Sequence, residues 1–173
     1  MNFTYKDSWY DATDGEGFSL TIKEPNNPDP NTWDQKSSWR PSAAIGGSPG
    51  ADDTGQVPEM GAIKFSELLA HSHASSPDWI ELYNTTEAPI NIGGWFLSDS
   101  GTNQMKYEIA DGTIIGRHSD PNSYIVFYED TSFGNAADPG CHTPFALSEN
   151  GETVYLRSGF NGVLTGYSEE EEF

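Results

Sequence analysis

The chain has 173 residues, which suits one domain with an appendage or two very small domains. Acidic residues number 27 against 8 Lys plus Arg, a net charge of −19 that repels nucleic-acid phosphate and anionic lipid. That charge suits divalent cations, a cationic partner or solubility in salt. No apolar run of about 18 residues exists, so no membrane span is expected. Cys141 is the single cysteine, so no intrachain disulfide is available. The 18 Gly and 11 Pro favour short strands joined by turns, and an aromatic content of 13% supplies enough rings for a core. The opening MNFTYKDSWYDATDG lacks the basic and apolar regions of a signal peptide. The chain therefore either stays inside the cell or is a piece of a longer exported one.

In chain order, WYDATDGEG (9–17) is rich in turn residues and leads into FSLTIKE (18–24), where Phe18, Leu20 and Ile22 alternate with polar residues as in a half-buried strand. PNNPDPNTW blocks helix and ladder alike. SSWRPSAAIGGSPGADDTGQVPE reads as an extended linker. From Met60 the pattern sharpens. Strands are predicted at GAIKFSELLA (61–70), DWIELYN (78–84) and INIGGWFLSD (90–99), the last broken at Gly93-Gly94 by a bend or bulge. Within DWIELYN, Ile80 and Leu82 take one face, and Trp79, Glu81 and Tyr83 the other. MKYEI (105–109) is a short strand, and Asp111-Gly112 marks a hairpin before TIIG. SYIVFYE (123–129) reads as a central, nearly all-apolar strand. TPFALS (143–148) and ETVYLRS (152–158) flank a hairpin through Asn150-Gly151, and GVLTGYS (162–168) is the last strand. The closing EEEEF reads as a solvated charge run.

Seven to nine short strands in about 110 residues, with no amphipathic helix, predict an all-β fold: an immunoglobulin-like antiparallel β-sandwich with an irregular N-terminal extension contributing one strand. The ordered set IKFSELLA, DWIELYNTTEAPINIGGWFLSDS, DGTII, YIVFYE and FALSENGETVYLR resembles the lamin tail domain, in its bacterial form, from about residue 60 to 168. The N-terminal DGEGFSLTIKEP and the later Trp and Gly-Gly-Ser-Pro-Gly resemble the segment that follows such a domain. The resemblance implies that residues 1–57 are an extension or linker ending a preceding repeat, and 58–173 the lamin tail domain proper. FSLTIKE is then expected to add to a sheet edge of this domain, or of a neighbouring chain in a strand-swapped homodimer.

Glu81 sits among apolar strand residues and could be a catalytic acid, with Glu67, Asp78 or Asp99 as the second carboxylate that glycosidase chemistry needs. Weighed against scaffolding, the catalytic role loses, because such folds carry function on loops. Glu67, Glu81 and Asp99 lie on or beside the first three strands of the sandwich, and as hard oxygen ligands they would suit Ca²⁺. Asp11-Ala-Thr-Asp14-Gly15-Glu16 is a second oxygen-rich turn without the downstream ligand of an EF-hand. His71-Ser-His73, with His118 or His142, is a weak transition-metal pattern. Cys141 beside His142 lacks any oxyanion element and reads as a plain thiol. Trp9, Trp33 and Trp39 fit either a sugar platform or rings pinning the extension, and pinning is preferred.

The resemblance implies a non-catalytic interaction or structural module, not an enzyme, from a bacterial extracellular or cell-surface multidomain protein. Expected partners are a protein or cell surface, with polysaccharide open and nucleic acid excluded. No cofactor is required, Ca²⁺ being the one left open. The alternative is a carbohydrate- or Ca²⁺-binding accessory module of a secreted hydrolase.

Overall fold

Period-two alternation becomes strand pairing in the computed structural model, which describes residues 4–53, 57–70 and 76–173. The strands are β1 (Phe18–Ile22), β2 (Trp39–Ile45), β3 (Ile63–Leu69), β4 (Trp79–Asn84), β5 (Ile90–Asn91) and β6 (Phe96–Ser98). They continue with β7 (Tyr107–Glu108), β8 (Ile114–Ile115), β9 (Tyr124–Tyr128), β10 (Thr153–Phe160) and β11 (Val163–Glu172). Short 3₁₀ turns punctuate the extension, and no α-helix occurs among the described residues. One sheet runs β11-β10-β6-β7 and the other β3-β4-β9, with β5-β8 as a small corner ladder. Every pairing is antiparallel. The expected immunoglobulin-like sandwich is what the chain forms.

The core lies between the two sheets. Ile63, Ile80 and Leu82 from one side meet Leu97, Val154 and Leu156 from the other, all fully buried. Each such side chain stabilises the fold by about 1.5–3 kcal/mol. The break at Gly93-Gly94 is the point where the chain leaves the β5-β8 ladder for the four-stranded sheet. A Cβ on Gly93 would lie 2.6 Å from the Gly112 amide nitrogen, so only glycine allows this approach. Asp111-Gly112 does form a tight turn, with Gly112 at φ +75°. Its flanking strands part, however: β7 pairs with β6, and β8 with β5.

Four expectations need correction. Residues 39–45 are a strand, not a linker: β2 pairs with β1, so within this chain FSLTI finds its partner inside the extension and not on an edge of the sandwich. The extension thus contributes two strands. SYIVFYE is not central, because β9 ends its sheet. TPFALS forms no strand. Phe145 and Leu147 alternate into the core, but the segment joins no sheet: the Thr143 N–H meets the Lys106 carbonyl at 3.0 Å and the Phe145 N–H the Phe133 carbonyl at 3.1 Å. Finally, the last strand does not end at Ser168: the glutamate run continues it, with Glu170, Glu171 and Glu172 exposed as a solvated charge run should be. Leu156, Tyr155, Val154 and Thr153 pair with Glu169, Glu170, Glu171 and Glu172.

The extension docks on the outer side of β10 and β11. A Cβ on Gly166 would sit 2.1 Å from the Ser42 carbonyl, so β2 crosses β11 where no side chain intervenes. Arg157, 3% exposed, lies beneath, with its guanidinium 3.3 Å from Glu16 and 3.7 Å from Glu170. Gln104 bridges the pair, accepting from Arg157 Nε at 3.0 Å and donating to Glu16 at 2.5 Å. A buried guanidinium without such partners would cost several kcal/mol, so Glu16 ties the extension to the sandwich.

Tyr167 joins the two sheets. It is fully buried, and its hydroxyl receives the Ile63 N–H at 2.9 Å and donates to the Ile63 carbonyl at 2.5 Å. Burial pushes the phenol well above its ordinary range. In Tyr167→Phe both Ile63 groups lose their partner, a cost of about 1–3 kcal/mol. We expect a lower Tm in thermal melts with an unchanged far-ultraviolet spectrum at 20 °C.

Burial also pushes the half-buried Glu169 carboxyl above its ordinary 4.5, aided by the Glu171, Asp11 and Glu170 charges and opposed by Lys64. The folded state therefore holds this proton more tightly than the unfolded state. The stability it contributes is present below pH 4.5 and is lost as pH rises through the folded value. Glu169→Gln should raise Tm at pH 7, with the gap to wild type closing as pH falls towards 4.5. A constant gap across that range would contradict the assignment.

Candidate functional site

β4 fixes the site by simple alternation. Ile80, Leu82 and Asn84 are buried, which turns Trp79, Glu81 and Tyr83 to the outer face. Register places Tyr128 beside Trp79, Val126 beside Glu81 and Tyr124 beside Tyr83. On the other flank, Leu69, Glu67 and Lys64 lie opposite Trp79, Glu81 and Tyr83. Tyr124 and Tyr128 are 50% and 45% exposed, unusual for large rings on a sheet. Tyr83 and Tyr124 stack with centroids 4.5 Å apart and planes 23° from parallel. The result is a bare aromatic face with two carboxylates at its centre.

Glu81 is one polar residue on that wet face. Its Oε1 accepts from Ser66 Oγ at 2.8 Å, and a bulge between Phe65 and Glu67 presents that hydroxyl. Glu67 is its direct cross-strand neighbour, so two like charges face each other at some cost. That cost is typical of a surface shaped for something other than stability. Asp99 lies on the opposite sheet, just past β6, and forms an ion pair with Lys106. The trio Glu67, Glu81 and Asp99 is therefore not brought together. Among the described residues, no three His, Cys, Asp or Glu side chains are grouped so as to hold a metal ion. Asp78 is buried and lies just before β4.

The remaining sequence candidates disperse. His71 and His73 lie outside the described residues. His118 sits 3.4 Å from Glu87, and His142 3.4 Å from Glu108. Cys141 directs its thiol to the Phe133 carbonyl at 3.4 Å. Burial pushes that thiol up, followed by the Asp138 charge, which leaves less thiolate where a nucleophile would need more. Trp39 is buried, lies edge-on to Trp33 at 77°, and donates to the Trp33 carbonyl at 2.8 Å. These two rings hold the extension together and offer no flat platform. A cavity of about 620 Å³ between extension and sandwich is lined by Asp53, Asn91, Trp95 and Phe160, among others. Its Asp53 carboxylate is already engaged by Arg40 at 2.6 Å and by the Ala43 N–H at 3.1 Å.

Tyr124, Val126 and Tyr128 are the residues that sequence reasoning missed. The available signal was a five-residue apolar strand with a tyrosine at each end, where a fully buried strand would carry aliphatic residues.

Residues 56–169 match the lamin tail domain family. No match was found among curated proteins. The matched span covers every strand of the sandwich, from β3 to most of β11, and the antiparallel immunoglobulin-like topology agrees with it. The chain belongs to the lamin tail domain family, a family of immunoglobulin-like interaction modules.

Proposed function

We propose that this chain is a non-catalytic interaction module of an exported or cell-surface bacterial multidomain protein. Its contact surface is the outer face of the β3-β4-β9 sheet, and its partner is a protein. Residues 1–57 act as the end of a preceding repeat and 58–173 as the module itself. The observation that carries the reading is the exposure of Tyr124 and Tyr128 beside Trp79 and Tyr83 on one uncovered face. Tyrosine and tryptophan supply large contact area at small entropic cost, and for that reason they concentrate at protein interfaces.

The same rings favour a second reading, a carbohydrate-binding accessory module, because pyranose faces pack on aromatic ones. The stacking of Tyr83 on Tyr124 counts against it. Each ring spends one face on the other, and a sugar platform needs its faces turned outward.

The test uses the full chain, labelled, on bacterial cell-surface preparations with and without prior protease treatment. Retention should vanish after protease treatment and in the double variant Tyr124→Ser, Tyr128→Ser, whose circular dichroism stays native. Both positions are half exposed, so the variant should lose no more than about 1 kcal/mol of stability beyond the stacking energy. Retention that survives protease but not glycosidase would establish the carbohydrate reading, and no retention at all would end the proposal.

A further inference from the structure

The sheet edges of the sandwich are not equally protected. β3 carries Lys64 and Glu67, bears a bulge at Ser66, and has its Ile63 N–H and C=O capped by the Tyr167 hydroxyl. β11 carries four consecutive glutamates, and β7 is two residues long. These are the devices by which proteins prevent strand addition: charge, bulge, cover and shortness. β9 has none of them. Tyr124-Ile125-Val126-Phe127-Tyr128 holds no charge, proline, glycine or bulge, and among the described residues no strand lies beyond it.

Its backbone is presented in a defined way. The Asn84 N–H reaches the Ser123 carbonyl at 3.0 Å, and the Glu129 N–H reaches the Asp78 carbonyl at 2.9 Å. By the alternation of an antiparallel ladder, odd-numbered residues of β9 bond to β4 and even-numbered ones point their N–H and C=O outward. The Tyr128 carbonyl is taken by the Ser132 N–H at 2.8 Å. Tyr124 and Val126 thus offer two complete donor–acceptor pairs to an incoming strand. The free face of the Tyr124 ring, the one turned away from Tyr83, looks over the same edge.

We propose that β9 is a strand-addition site for an extended, Arg- or Lys-bearing peptide segment. The proposal rests on the interaction-module reading and names its binding mode and partner chemistry. Charge complementarity selects the occupant. The chain carries −19, with Glu129 and Asp130 just beyond the strand, so a second copy would bring like charges together. A cationic segment is attracted to that field, and a guanidinium can stack on the tyrosine face. Main-chain bonds give the affinity, and alternate side chains give the selectivity.

The probe is a ten-residue synthetic peptide alternating Arg with Val or Thr, added to the full chain. Hydrogen exchange should show new protection at the Tyr124 and Val126 amides, and calorimetry should give an affinity that weakens with salt. Val126→Pro removes an outward N–H at an edge position where proline is tolerated, and should weaken binding by roughly tenfold or more with the melt still cooperative. Tyr124→Lys restores a guard charge and serves if the proline variant does not fold; it should weaken binding comparably. Peptide binding without protection of those amides would overturn strand addition while leaving the interaction module intact. Equal binding of a Glu-for-Arg peptide would overturn the cationic assignment. A dimer in sedimentation that Val126→Pro dissolves would assign the edge to a second copy instead. No binding of any peptide, with surface retention intact, would also overturn strand addition and spare the broader reading.

Discussion

One phenol holds the sandwich in register. Tyr167 leaves β11, crosses the core and closes both hydrogen bonds of Ile63, whose backbone would otherwise end a sheet in an apolar interior. A buried peptide group without a partner is among the costliest features a small fold can carry. The hydroxyl therefore does more than satisfy itself. It ties the four-stranded sheet to the three-stranded one, and Trp95 packs on its ring with centroids 4.8 Å apart.

The second organising constraint is asymmetric. The extension lies over the outer side of β10 and β11, drawn down by Arg157 to Glu16 and by the bare backbone of Gly166. No described element does the same for the outer side of β3-β4-β9. Among the described residues, one broad side of the sandwich is thus covered and the other open. Among the described residues, Tyr124 and Tyr128 are the exposed rings of the open side, and Tyr5, Phe160 and Phe173 are exposed elsewhere. Glu81 belongs to this open side as a hydrogen-bonded neighbour of the rings, and its partner is a serine hydroxyl and not a second catalytic acid.

Legibility varied with how far a segment's surroundings are written into its own residues. WIELYN was readable because alternation alone decides which face is buried, and two of its three inward positions hold large aliphatics. The sheet switch at Gly93-Gly94 was readable as a break, since glycine pairs mark one, but its meaning depended on Gly112, eighteen residues on. WRPSAAI was opaque. Its buried positions include Pro41 and Ser42, which pack against a glycine and leave no apolar rhythm. PFAL misled in the opposite direction: two core rungs alternate, yet the segment joins no sheet. β9 was misjudged because hydrophobicity was equated with centrality, when the missing partner on one side is a matter of topology. The aromatic face was invisible for the same reason, since it is assembled from cross-strand neighbours about forty residues apart. Family resemblance, by contrast, was carried by short ordered segments and survived these local errors.

The last rungs of β10 and β11 have one more consequence. Four glutamates in succession occupy a paired strand, facing Leu156, Tyr155, Val154 and Thr153 rung by rung. The residues they face are neutral, so the anionic repulsion runs along β11 and not across the ladder, and dissolved ions screen it. The backbone bonds of the rungs hold these like charges in one extended row, whose mutual repulsion eases as the surroundings grow saltier. At the base of that row, Glu169 is the member whose charge acts on the phenol that spans the core.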